Sequence, residues 1–267
     1  MSKSITVSNL DVIYDDRGSE FKALEGVSFT VAAGEFVSII GSSGCGKSTL
    51  LSVLEGLRAP DGGRVTIDGQ KISGPGPERS VVFQQYSLFP WMTAQKNVAF
   101  AIEQVRKDLK RKDRLALADH YLEKVGLENF GHRYPKELSG GQQQRVAIAR
   151  ALAEDGDILL MDEPFGAIDA KNRAILQDLL LTLWEGKDSS QRKTVVFITH
   201  DIEEAILLSD RILVMQANPG RIRCDLKVPL PRPRHRLELM KSQEYFEFRS
   251  ELSEIFFEDE YEEAISA

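Results

Sequence analysis

The sequence predicts an α/β protein with a mainly parallel sheet, and three observations carry that prediction. The near-continuous apolar runs "DILLM" (157–161), "TVVFIT" (194–199) and "RILVMQ" (211–216) are of the kind buried on both faces in a parallel sheet. Helical stretches, Lys171–Trp184 and Asp201–Leu208, separate them, and strand–helix alternation is the pattern of such folds. A further apolar strand, "EFVSII", runs straight into the glycine-rich turn "GSSGCGKST" at 41–49.

Taken in order, the chain opens with strands. In "ITVSNLDVIY", Ile5, Val7, Leu10, Val12 and Tyr14 mostly alternate, and "DDRG" follows as a turn. "VSFTVAAGEFVSII" gives two strands broken at Ala33-Gly34, and "SVVFQQ" (80–85) gives another. From Phe89 to about Glu154 long charged segments lack strand alternation, so a helical block at about 87–154 is expected as an insertion. Within it "LSGGQQQR" (138–145) has the S-x-x-Q form of a capping box, Ser139 with Gln142, and Val146, Ala149, Arg150 and Ala153 continue at helical spacing. The run "QQQ" (142–144) reads as helix surface. The basic run "RKDLKRKDR" (106–114) is interrupted by Asp108 and Asp113 and carries no aromatics, so it reads as a solvated helix face.

The last segment, 226–267, differs in character. Pro229, Pro231 and Pro233 interleave with Arg232, Arg234 and Arg236 as a stiff basic connector. Tyr245, Phe248, Leu252, Ile255 and Phe256 then fall at spacings of three and four, an amphipathic helix with an acidic end.

Composition narrows the class. The 267 residues are 42% hydrophobic and 28% charged, ordinary for a globular protein with a sizeable core. No apolar run approaches the roughly 18 residues of a membrane helix, and "MSKSITVSNL" lacks a signal peptide's apolar stretch, so a cytoplasmic location is expected. The two cysteines, Cys45 and Cys224, form neither a disulfide framework nor a metal-ligand spacing. A net charge of −7 argues against nucleic acid as a partner.

The chemistry concentrates in a few motifs. "GSSGCGKST" fits G-x-x-x-x-G-K-[ST] and follows a strand, the context in which glycines let backbone N–H groups cradle phosphate oxygens. Gly41, Ser42, Ser43, Gly44, Cys45 and Gly46 form that loop, with Lys47 as the charge for β- and γ-phosphates and Ser48 and Thr49 opening the helix. The Ser48 hydroxyl is placed to ligate Mg²⁺. In "ILLMDEP" (158–164) a carboxylate pair emerges from a buried strand: Asp162 as a Mg²⁺ holder, Glu163 to orient or deprotonate an attacking water. His200 ends another apolar strand and is a candidate γ-phosphate sensor, because ligands in parallel sheets bind off the strands' carboxyl ends. Gln84 ends "SVVFQ" at the same kind of location, within reach of metal or water, with Gln85 as its rival. The helix opening at Ser139, Gly140, Gly141 and Gln142 is a second anion-friendly terminus, without a lysine.

In the order P-loop, "VVFQ", "LSGGQQQR", "ILLMDEP", "GAID", "ITHD", the sequence resembles the nucleotide-binding subunit of ATP-binding cassette (ABC) transporters over about residues 1–225. The resemblance implies a P-loop NTPase core of RecA-like type with an N-terminal antiparallel β subdomain and the inserted helical subdomain. It implies ATP and Mg²⁺ as ligands and a head-to-tail homodimer, in which Lys47 of one chain and Ser139–Gly141 of the other grip the same ATP. It further implies Tyr14 stacked on adenine, Gln84 as the Q-loop glutamine, Glu163 as catalytic carboxylate, His200 as switch histidine and Asp169 as the D-loop aspartate coupling the two sites. "GAID" has Gly166 and Ile168 where "SALD" is usual.

The transporter reading requires membrane permease subunits on separate chains, with an extracytoplasmic solute-binding protein acting through them. Leu88, Phe89, Trp91 and Met92, after the Q-loop glutamine, are either interface anchors for such a partner or an apolar plug between subdomains. "LFPWMT" and the "NPGRI…VPLPRPR" ending look most like the nitrate/sulfonate/taurine importer group, which places the chain peripherally on the cytoplasmic face of a prokaryotic inner membrane. An exporter or lipid-transport cassette, or a soluble cassette in DNA repair or translation, are the alternatives.

Overall fold

The computed structural model describes residues 2–16, 19–166, 168–186 and 192–266, with side chains for those through Glu258 except Asp16. The "DDRG" turn and Ala167 of "GAID" therefore fall partly or wholly outside the described residues, as do the side chains at the acidic end.

A six-stranded sheet forms the centre. Its strands are β3 (Phe36–Gly41), β6 (Arg79–Val82), β7 (Ile158–Asp162), β8 (Thr194–Ile198), β9 (Arg211–Gln216) and β10 (Arg221–Lys227), in the spatial order β10-β9-β3-β8-β7-β6. All neighbours are parallel except the edge pair β9–β10. The continuous apolar runs have their reason in two separate clusters, one on each face. Phe36, Ile40, Leu159, Met161 and Phe197 face the helical side, while Val37, Ile39, Leu160, Val196 and Ile198 face the N-terminal side. A strand buried on both faces has no polar half, so alternation vanishes.

The N-terminal face is covered by a wholly antiparallel sheet, β2-β1-β4-β5, made of β1 (Ile5–Asp16), β2 (Ser19–Val31), β4 (Gly62–Ile67) and β5 (Gln70–Lys71). A register shift between Val7 and Leu10, around Asn9 at φ 47°, explains why the alternation in β1 slips by one yet Leu10 and Val12 stay fully buried. Strand β2 begins at Ser19, earlier than its apolar run announces.

The expected helical block lies between β6 and β7 as α2 (Ala94–Val105), α3 (Arg111–Lys124), a 3₁₀ turn (Pro135–Glu137) and α4 (Gly140–Ala153). Three local expectations need correction. Gln144 is fully buried in α4, its amide atoms without hydrogen-bond partners, because it shares a face with Ile148 and Ala151. The 106–114 run is solvated but is not one helix face: residues 106–110 connect α2 to α3, and Arg106 pairs with Asp108. Strand β6 stops at Val82, leaving Gln84 and Gln85 in a turn.

Helices α1 (Lys47–Glu55), α5 (Ala170–Glu185) and α6 (Ile202–Leu208) flank the sheet, followed by α7 (Arg236–Leu239) and α8 (Gln243–Ser266). The amphipathic tail helix docks on the core: Tyr245, Phe248 and Leu252 are buried in the helical-side cluster. The basic connector is also not a solvated spacer. Arg234, only 5% exposed, donates to the carbonyls of Ile206, Leu207, Ser209 and Leu230, closing the C-terminal end of α6.

Candidate active site

Because β3, β6, β7 and β8 run parallel, their carboxyl ends share one edge, and four separate motifs converge there. From β3 the chain curls through 41–46 into α1. Gly46 takes φ 94°, and a Cβ there would lie 2.6 Å from Leu24 Cδ2. At Gly41 a Cβ would meet Cys45 Sγ and the Met215 carbonyl, each at 2.6 Å. Only glycine permits this approach. Lys47 Nζ donates to the carbonyls of Gly41 (2.7 Å) and Ser42 (2.8 Å), so the loop closes around its ammonium. Cys45 is a buried filler whose thiol is pushed up by burial.

From β7, Asp162 lies against the start of α1. Burial, then the neighbouring Glu163, raises its carboxyl, while a hydrogen bond from Ser48 and the charge of Lys47 pull it down. The Ser48 hydroxyl and the Asp162 carboxylate, in contact at the loop's mouth, are oxygen donors of the kind Mg²⁺ uses together with phosphates, whereas the Gln84 amide turns its nitrogen to Glu163. Among the described residues no cluster of three His, Cys, Asp or Glu forms a ready protein cage. Glu55, buried at the other end of α1, has its carboxyl pushed up to about 7 by burial and by the charge of Asp162.

Glu163 turns away from Asp162 in a left-handed conformation, φ 40°, uncommon for a residue with a side chain. Its N–H donates to the Ile198 carbonyl of β8 at 3.0 Å. Its Oε2 lies 3.2 Å from His200 Nδ1 and 3.4 Å from Gln84 Nε2. The structure thus separates Gln84 from Gln85: both are exposed, and it is the Gln84 amide that reaches Glu163. A cavity of about 370 Å³ opens here, lined by Ser43, Gly44, Gly46, Lys47, Ser48, Thr49, Glu163 and His200.

Residues 139–142 are not among that lining. Ser139 instead caps α4 on its own, its hydroxyl accepting from the Gln142 N–H (3.3 Å) while Gln142 Oε1 accepts from the Ser139 N–H (3.0 Å). Gly141 lies beside Asn172, whose N–H and amide both bind Asp169, the cap of α5. The second anion-friendly helix start and Asp169 therefore sit together, and neither lines this chain's own loop cavity. Tyr14 lies on β1 with its hydroxyl 3.4 Å from Thr49 Oγ1, and the Arg58 guanidinium covers one ring face at 4.0 Å.

Two participants have no signature in sequence spacing. Arg58 is one. The other is Arg150 of α4, which is buried and donates to the carbonyls of Ser87 (Nη1, 2.5 Å) and Tyr86 (Nη2, 3.2 Å), two residues held at φ 48° and 35°. The stretch after it is mixed: Trp91 is 69% exposed and stacks near Phe89, which packs edge-on to Phe100, while Leu88 packs toward the core.

A strand–glycine loop–helix with an acidic pair at the end of a parallel strand two places along the same sheet defines the class as a P-loop nucleoside-triphosphate hydrolase. Within that class the chain belongs to the ABC transporter family, which it matches over residues 24–166. It is 46% identical over 255 residues to the uncharacterised ABC transporter ATP-binding protein MJ0412 of Methanocaldococcus jannaschii, covering 96% of this chain and 92% of that one. It is 45% identical over 254 residues to the bicarbonate transport ATP-binding protein CmpC of Synechococcus elongatus, and 44% identical over 254 residues to the nitrate import ATP-binding protein NrtC of Synechocystis. The matches cover 94% of this chain but only 38% and 37% of those longer proteins. Among solved structures, the ATP-binding cassette MJ0796, a dimer in a post-hydrolysis state bound to ADP and Pi, superposes with a TM-score of 0.74. That match has 35% identity and covers 85% of this chain and all of that one. The protein is an ATP-hydrolysing cassette. Among the described residues no helix is long and apolar enough to cross a membrane.

Proposed function

We propose that this chain energises uptake of a small anionic solute of the nitrate/sulfonate/taurine kind. It would do so as a homodimer under separate permease subunits served by an extracytoplasmic binding protein, at the cytoplasmic face of a prokaryotic inner membrane. The observation that carries the catalytic part is the Glu163 carboxylate, held between His200 and Gln84 on the lip of the loop cavity. The names of the bicarbonate and nitrate relatives support the anion, and the exposed Trp91–Phe89 surface supports a permease contact.

In this reading the backbone N–H groups of 42–47 hold the phosphates and Lys47 turns its ammonium from the loop carbonyls to the β- and γ-phosphates. Ser48, Asp162 and Gln84 would hold Mg²⁺, which when bound would neutralise phosphate charge. Glu163 accepts the proton of the attacking water, and His200 and Gln84 fix its oxygen in place. Tyr14 stacks on the base with the face that Arg58 leaves open. Ser139, Gly140, Gly141 and Gln142 close the site of the second copy, with Asp169 at the seam. The geometry that favours a site in trans is their separation from this chain's own cavity.

The test is the Glu163→Gln protein. Turnover falls by roughly a hundred- to ten-thousand-fold, the range for a positioned acid or base, while ATP binding is kept. Its apparent mass doubles with MgATP, and Ser139→Arg abolishes that doubling. Turnover unchanged by Glu163→Gln refutes the catalytic assignment.

A further inference from the structure

The C-terminal extension reaches the edge of the active site through a line of hydrogen bonds that the proposed function does not use. Arg236, at the start of α7, donates from Nη2 to Gln177 Oε1 at 2.5 Å and from Nε to Asp178 Oδ1 at 3.1 Å. The other end of the same amide, Gln177 Nε2, donates to Glu204 Oε1 at 2.7 Å. The Thr199 hydroxyl donates to Glu204 Oε2 at 2.6 Å and accepts from the Asp201 N–H at 3.0 Å. Between Thr199 and Asp201 sits His200.

The line has only one workable polarity. A guanidinium only donates, so Gln177 must turn its oxygen to Arg236, which leaves its nitrogen to donate to Glu204. Gln177, Glu204 and Thr199 are 3%, 6% and 2% exposed, where a mis-set amide has no water to compensate it. Glu204 also grips the turn a second way, its N–H donating to Asp201 Oδ1 at 3.1 Å. The His200 side chain, by contrast, is 62% exposed, so the backbone on either side of it sets its aim at Glu163.

We propose that Glu204 is a positioning residue for His200, and that the C-terminal extension sets this positioning through Arg236 and Gln177. The proposal rests on the assignment of His200 given under Proposed function.

The experiment exchanges the polarity of the pair in the full chain. Gln177→Glu sets two carboxylates against each other and lowers kcat about tenfold with KM for ATP within about twofold, the mark of a misaimed group rather than lost binding. Adding Glu204→Gln restores one donor between two acceptors, with Arg236 still served, and returns kcat to within about threefold of the parent. Arg236→Ala lowers kcat about fivefold, whereas Ala at the exposed Lys241 of the same extension leaves it unchanged. Single variants with parental kcat, or a double variant no better than Gln177→Glu alone, overturn the proposal. The imidazole signals of the four histidines, read by NMR, separate the two assignments. If His200→Ala keeps full turnover, the role of His200 fails while the positioning is still judged by its ring signals. Arg236→Ala must shift those of His200 and leave His120 and His132 in place, and an unmoved His200 overturns it.

Discussion

Replacing Glu55 by glutamine tests the electrostatics behind the phosphate loop. Glu55 is 7% exposed, and burial with the charge of Asp162 lifts its carboxyl from an ordinary 4.5 to about 7. Native protein therefore holds a proton that the unfolded chain has released between those values, so stability falls as pH rises through the window from about 4.5 to 7. Integrating the difference gives at most about 3 kcal/mol lost at pH 8 and about 1 kcal/mol at pH 5. Glutamine has the same shape and never ionises, so Glu55→Gln recovers those amounts. For a chain of this length that is a Tm higher by about 5 °C at pH 8 and about 1–2 °C at pH 5. Thermal unfolding followed by circular dichroism at the two pH values reads the difference directly. A gain of equal size at both would show that packing, not a buried proton, distinguishes the two side chains.

Other expectations follow from single contacts. Gly46→Ala strains a left-handed residue and drives a methyl into Leu24, so it costs more than about 1 kcal/mol in denaturant unfolding and abolishes ATP binding in a fluorescent-nucleotide titration. Arg234→Met leaves the end of α6 without its donor and costs about 2–4 kcal/mol; parental stability in urea would mean those carbonyls find other partners. Its guanidinium is lowered to about 10, chiefly by burial, so it stays charged and the cost should not vary between pH 6 and 8. Trp91→Ala changes stability by no more than about 0.5 kcal/mol and leaves basal ATPase intact, but removes co-purification with membrane subunits.

The sheet was legible because β7, β8 and β9 are short apolar runs with abrupt ends, and the phosphate loop because its chemistry is contiguous. The meeting of Gln84, Glu163 and His200 was legible only as position: each follows the end of a strand by one or two residues, and parallel strands bring their ends together, but no spacing shows that Glu163 stands between the other two. Gln144 misled because its polar side chain outweighed its place on the stripe shared with Ile148 and Ala151. Arg234 misled in the opposite way. Alternating Pro and Arg suggests solvation by composition, while the α6 carbonyls that use the guanidinium lie 25 to 28 residues earlier in the chain. The length of β2 was hidden by charges on its exposed side, at Glu20, Lys22 and Glu25.

The clamp made by Arg150 has a mechanical consequence. By holding the Tyr86 and Ser87 carbonyls, it ties the turn that carries Gln84 to α4, whose first residue, Gly140, lies against the Tyr86 hydroxyl. The stretch from Gln84 to Met92 is then a crank rather than a slack tether. Pressure on Trp91 cannot be absorbed in the loop, because its fulcrum is inside a helix. In the reading proposed above, a partner pressing there would act at once on the amide beside Glu163 and on the capped glycines that open α4.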